Sequence, residues 1–237
     1  MLAAKRPLIL ISALVMVVAA LSMPRLIPTT QSRVFLWAWE RPEDLRFLDP
    51  ARFGVAFLAA TLHLHDGELI TSPRRHPLRL GPGTEIIPVV RIETDITPLT
   101  AAQLDAVAHH FLRFTDQPNV IAAQIDFDAT VSQRPFYRSL VQRLHTQRKL
   151  SITALASWCL DDPWIKDLPV IEAVPMLFRM GPESRSIRQR LAGGSDFSLE
   201  ICRSSYGLST DESPALVPAG RRLYLFHPQP WTPRALP

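Results

Sequence analysis

The residues Gln124-Ile125-Asp126-Phe127-Asp128-Ala129 place two carboxylates one residue apart at the end of an apolar run. Charged groups are costly to bury unless they are paired or used. Side chains alternate along a strand, so Gln124, Asp126 and Asp128 share one face and Ile125 and Phe127 the other. The run Glu85 to Glu93 (EIIPVVRIE) groups Val89, Arg91 and Glu93 on one face in the same way. On neighbouring strands these sets bring carboxylates and a guanidinium together, with Arg179 of AVPMLFRM as a further cation. Like charges raise one carboxyl's pKa while an arginine lowers another's, which is what acid–base chemistry requires. Two carboxylates flanking a sugar bond are the minimum for glycoside hydrolysis. The candidate catalytic set is Asp128 and Asp126 with Glu93 or Glu212 as partner; Asp211 in Ser209-Thr210-Asp211-Glu212 is a further option. The plain alternative for Arg91 and Asp126 is a buried ion pair that fixes strand register.

Aromatic side chains form the second element of the site. Trp39 ends the first apolar run, Trp158 follows the fifth, and Tyr206 follows the seventh. Flat apolar rings stack on sugar faces and line pockets. Trp37, deeper in its run, suits packing instead. Glu40 and Arg41 follow Trp39 within reach of a mouth, whereas Glu43 and Asp44 suit the solvent side of a first helical turn. Trp39, Glu40, Arg91, Trp158, Arg179 and Tyr206 are therefore the candidate substrate-binding residues.

Other chemistries find less support. His63-Leu64-His65 projects both rings to one side of a strand, but a metal site needs further ligands on other strands. Of the remaining histidines only His227 falls at a strand end. No metal and no cofactor is therefore expected. No G-x-S-x-G elbow occurs to support a serine nucleophile.

Eight apolar runs recur along the chain: 34–39, 54–64, 85–93, 120–128, 150–157, 173–180, 198–204 and 221–227. Short continuous apolar runs read as strands covered on both faces. Helical spacing lies between several of them. Thr100 to Thr115 carries an apolar face with a Thr100/Gln103 capping box. Ser132 to about Arg148 carries another, with Ser132 as cap. Pro163 to Leu168, Glu183 to Leu191 and Pro42 to Leu48 suit shorter helices. The connection from Asp66 to Thr84 has no helical period. Strands alternating with helices imply parallel pairing, and eight strands imply a small, irregular (β/α)8 TIM-like barrel over residues 33–232. An open doubly wound sheet is the runner-up, but it calls for a glycine-rich phosphate loop that is absent.

Residues 1–25 place Lys5 and Arg6 before an apolar run that Pro24 and Arg25 end. This is the pattern of a signal peptide or a membrane anchor, with the following domain exported to the periplasmic side. In an exported protein Cys159 and Cys202 can form one disulfide. The formal net charge is +4, and Lys5, Arg6 and Arg25 supply most of it. The nearly neutral remainder gives no reason to expect nucleic acid as a partner.

WAWERPEDLRFLD, PVVRIE, QIDFDA, SITALASWC, PMLFRMG and GLSTDE together resemble a family of uncharacterised bacterial proteins catalogued as a domain of unknown function. The likeness runs from about Val34 to Trp231 and implies no established activity. A looser resemblance is to family-eighteen glycoside hydrolases, (β/α)8 barrels whose fourth strand ends in D-x-x-D-x-D-x-E with the glutamate as acid. Setting Asp126 and Asp128 on its last two aspartates puts Ala123 at the first and Thr130 at the acid. The catalytic glutamate is missing, so the resemblance implies a hydrolase with a different acid, Asp128, or a barrel that binds glycans without cutting them. The combined expectation is an exported barrel acting on a cell-envelope or extracellular polysaccharide. The alternative is a non-catalytic glycan-binding or scaffold barrel at the membrane surface.

Overall fold

A computed structural model describes residues 34–213, 218 and 220–237. The expected signal or anchor segment lies outside the described residues. The chain forms β1 (Val34–Ala38), β2 (Glu43–Leu45), β3 (Phe53–His65), β4 (Glu68–Pro73), β5 (Leu78–Leu80) and β6 (Ile86–Thr94). Helix α1 (Ala101–Thr115), β7 (Ala123–Asp126), α2 (Arg134–Leu144) and β8 (Leu150–Leu155) follow. Then come β9 (Glu172–Met176), α3 (Ser184–Ala192), β10 (Ser205–Ser209) and β11 (Arg222–Phe226).

Eight of these strands close a parallel barrel in the order β1, β3, β6, β7, β8, β9, β10, β11 and back to β1. β4 adds an antiparallel strand to the outer part of β3. Of the expected helices, α1 keeps its capping box, in which the Gln103 backbone N–H donates to the Thr100 hydroxyl at 3.1 Å. α2 starts later than its apolar period suggests. A 3-10 turn at Val131–Gln133 precedes it, and Gln133 Oε1 accepts the Thr130 N–H at 2.9 Å, so Ser132 is not the cap.

The barrel has three α-helices among the described residues rather than one per strand. Leu45 and Leu48, expected on a helix, instead belong to β2 and the turn after it. β2 pairs with β5 in a small separate ladder over β1 and β3. Trp231 of the C-terminal segment joins that cover; its indole N–H donates to Trp37 O at 3.0 Å. Glu43 is therefore buried rather than solvated. Its carboxylate accepts from Arg41 Nε at 2.7 Å and from the Trp231 N–H at 3.0 Å. Pro163 to Leu168 is a run of turns, not a helix.

The seventh strand is Ser205–Ser209, not Ser198–Ser204. Leu199 and Cys202 are apolar because they pack in the outer shell, and Cys202 is disulfide-bonded to Cys159. The true strand reads Ser-Tyr-Gly-Leu-Ser because its inward side must be small. A Cβ on Gly207 would lie 2.9 Å from Trp37 Cη2.

Two packing layers result. Outside the strands, Val107, Phe111, Tyr137, Leu140 and Leu144 of α1 and α2 cover Leu62, Val90, Ile92, Ile125 and Ile152. Inside, Phe35, Trp37, Ile87, Val89, Val174 and Tyr224 fill the barrel. A bulge in β3 between Leu58 and Ala60 resets its alternation. It keeps Leu62 and Leu64 on the helix side while His63 and His65 take the other face.

Candidate active site

At the C-terminal ends of the barrel strands lies a cavity of about 560 Å³, well within the size range of ligand pockets. Trp37, Trp39, Met176, Phe178 and Phe226 supply apolar walls. Arg91, Gln124, Asp126, Asp128, Thr153, Arg179 and Glu183 supply polar groups.

The carboxylate pair comes from β7 and the residues just beyond it. Asp126 is buried, and its Oδ2 accepts from Arg91 Nη1 at 3.1 Å while its Oδ1 accepts from the Thr153 hydroxyl at 2.7 Å. Arg91 sits opposite Asp126 in the β6–β7 register. Arg91 Nε also donates to Glu93 Oε1 at 2.8 Å, and its guanidinium carbon lies 6.0 Å from the Trp39 ring centre. Burial works against the Arg91 charge, but Asp126, Glu93 and Asp128 outweigh it and hold the guanidinium protonated.

Asp128 stands one step further out. It is exposed at the rim, and among the described residues no hydrogen bond or ion pair engages its carboxylate. The surrounding walls still strip water from it, which pushes its carboxyl pKa up. The Asp126 carboxylate adds to the rise and Arg91 opposes it. An acid with a raised pKa thus sits beside a fixed carboxylate and a fixed cation.

Below the pair, Gln124 ties the layers together. It accepts from Trp37 Nε1 at 3.1 Å and donates to Ser151 Oγ at 3.0 Å. Phe178 and Phe226 stack with ring centres 5.7 Å apart, and Phe178 meets Trp37 at 6.0 Å.

The other expected site residues distribute as follows. Trp39 and Arg179 line the cavity. Glu93 sits beside it, held by Arg91 and by His63 Nδ1 at 3.1 Å. Glu212 is turned to the loop after β9, where it accepts the Arg179 N–H at 2.7 Å and Arg188 Nη2 at 2.9 Å. Glu40 is exposed, and its carboxylate accepts the backbone N–H groups of Arg75 and His76. Trp158 does not line the cavity. The 3-10 turn Ala156–Cys159 sends Ser157 inward and Trp158 into the outer shell, 5.0 Å from Trp164. Tyr206 does not line it either, because alternation along β10 turns inward Gly207 and the flanking serines. Tyr206 packs on Phe197 and receives a hydrogen bond from Arg221.

Contributions outside the sequence-derived set include Thr153, Met176 and Phe178, and also Glu183, Phe226 and Arg74. Glu183, just before α3, lines the cavity. Phe226 contributes from the end of β11. Arg74 donates to the carbonyls of Ala38, Trp39 and Arg41, and so fixes the loop that carries Trp39. Position at a strand end was the available signal for Phe226. Arg74 lies in a connection with no period, and nothing local marks it. His65 contacts Asp66 and Asp95 in an exposed cluster on the part of β3 paired with β4, outside the cavity.

A scan against protein-family models finds no match, and a search of curated proteins finds none either.

Proposed function

We propose that the chain is an exported, glycoside-hydrolase-like TIM-type barrel that takes a cell-envelope or extracellular polysaccharide into this cavity. The observation that carries the reading is Asp128: a carboxyl with a raised pKa, unengaged, beside Asp126 in an aromatic-walled mouth. Asp128 acts as the acid–base group, and Asp126 with Arg91 sets its affinity for the proton. Glu183 is the partner carboxylate, since Glu93 and Glu212 are both occupied in ion pairs. Trp39 stacks on a sugar ring. The Cys159–Cys202 disulfide supports the export reading, because such bonds persist in oxidising compartments. A retained N-terminal segment would hold the barrel at the membrane surface.

The test is turnover of a panel of bacterial and plant polysaccharides by the chain and by Asp128→Asn. Loss of a general acid lowers kcat by roughly 10²–10⁴-fold. Full activity in the variant on a confirmed substrate rules out the assignment. The second reading is a barrel that binds glycans without cutting them. The exposed Thr130, where a family-eighteen barrel carries its acid, favours it. Retention of a glycan by both proteins with cleavage by neither selects that reading.

A further inference from the structure

The mouth holds two guanidinium groups in opposite states. Arg91 is neutralised by Asp126 and Glu93. Arg179 makes no ion pair among the described residues. Its guanidinium carbon lies 4.9 Å from the Phe226 ring centre, on the aromatic column that continues through Phe178 to Trp37. A guanidinium resting on a ring keeps its in-plane donors available for a carboxylate or a sulfate. The charged neighbours are accounted for. Asp211 feels the Arg179 charge, but its own hydrogen bond comes from the Ser209 hydroxyl. Glu183 lines the same cavity without pairing to Arg179.

The backbone points the same way. Arg179 has φ +49, in the left-handed region that a residue with a Cβ rarely adopts. Glu212 holds it there by accepting its N–H at 2.7 Å. Arg188 holds Glu212 in turn, and also donates to Leu177 O and Ser213 O at 3.0 Å each. A turn alone would be served by glycine at no steric cost. An arginine fixed in this conformation by a buttress of two further charged residues gives the side chain itself a role.

We infer that the ligand of this mouth is an anionic glycan, whose sugars carry a carboxylate or a sulfate that Arg179 receives. The inference rests on the reading of the cavity as a glycan site. Asp128, on the β7 side, repels an anion, so the acidic group is directed to the β9 side and the sugar enters in one orientation.

The experiment measures binding of the full chain to alginate and polygalacturonate, each beside its carboxyl-reduced form, and to dextran sulfate beside dextran. The carboxylate and sulfate arms separate the two sources of charge. The expected result is retention of at least one anionic polymer, about tenfold or more tighter than its neutral counterpart. Arg179→Gln abolishes that preference, Arg179→Lys keeps part of it, and both variants unfold at the temperature of the parent. Equal binding of charged and neutral forms overturns the inference, as does a preference unchanged in Arg179→Gln, or no binding of any anionic polymer. Asp128→Asn separates this result from the hydrolase reading. Anion preference in parent and variant without cleavage leaves the ligand class standing and removes the enzyme. Cleavage of a neutral glycan that Asp128→Asn loses and Arg179→Gln retains does the reverse.

Discussion

The barrel interior carries one charged layer at its floor and another at its mouth, and the two are finished differently. At the floor, where the strands begin, Glu172 accepts from Arg222 Nη1 at 3.0 Å and from the Tyr224 hydroxyl at 2.5 Å. Arg222 also lies 5.3 Å from the Phe35 ring centre. Burial opposes the Arg222 charge, and Glu172 together with Tyr224 outweighs it. Phe35, Trp37 and Tyr224 close the space above. At the mouth, Asp126 and Arg91 are paired in the same manner, but among the described residues Asp128 and Arg179 make no ion pair, and both line a cavity. A buried charge survives only when paired, so the floor is a structural layer. Groups left unpaired at a walled, accessible rim are the ones available to a ligand.

The comparison breaks most directly at the floor. Replacing Glu172 with alanine leaves Arg222 and the Tyr224 hydroxyl without their acceptor inside the barrel. The expected loss is about 3–5 kcal/mol of folding stability, the range for an uncompensated buried charge. Urea unfolding measures it. A loss under about 1 kcal/mol, typical of exposed pairs, means that the floor pair is not structural.

Midway up the barrel, Gly207→Ala sets a Cβ against Trp37, whose indole is held by Gln124 and whose carbonyl is held by Trp231. Overpacking of this kind costs about 1–3 kcal/mol. Trp37 also touches Phe178, so the same change narrows the base of the cavity. Near-ultraviolet circular dichroism of the tryptophans together with the unfolding midpoint reads both effects. Unchanged spectra at full stability mean that the indole has room to move.

This interior alternation explains what was legible in the sequence. β7 read correctly because its inward Gln124 and Asp126 are polar while its outward Ala123 and Ile125 are apolar, and the end of β6 read correctly because Arg91 and Glu93 continue the inward face of Ile87 and Val89. β10 did not. Its inward Gly207 is small to accommodate Trp37, and that need comes from β1, which is distant in the chain. The same reason misplaced Tyr206, whose ring fills the outer shell. Trp158 was misplaced by a single 3-10 turn, which no periodicity encodes. The cover over β1 and β3 was missed because it is made from residues far apart in the chain: Leu45, Leu80 and Trp231. Asp126, Asp128 and Arg91 were found because charge at the end of an apolar strand is unusual enough to need a cause.

Closer to the mouth the expected costs fall. Asp126→Asn removes the charge facing Arg91 but leaves Arg91 its contact with Glu93 and keeps a side-chain oxygen near Thr153. The expected loss is about 1 kcal/mol, the scale of one hydrogen bond. A loss matching that of Glu172→Ala removes the distinction between the two layers.

Asp128→Asn is the smallest perturbation to stability, and its sign is its value. The folded state holds the Asp128 carboxyl above its ordinary range, through lost solvation and then through Asp126. In acid below that range both the folded and the unfolded chain keep the proton, and the residue contributes no pH dependence. As pH rises through the ordinary carboxylate value, the unfolded chain releases its proton first, and stability declines until the folded group has also ionised. Above that window the penalty is complete. Asparagine carries no such proton, so the variant matches the parent in acid and is slightly more stable at neutral pH. Paired urea titrations at acidic and neutral pH check this. A variant less stable than the parent at neutral pH, or a difference that does not change with pH, contradicts an unpaired carboxylate at the mouth. If the substitution stabilises the barrel while abolishing turnover, the charge at Asp128 is kept at a cost to the fold, which is the mark of a functional group and the converse of Glu172.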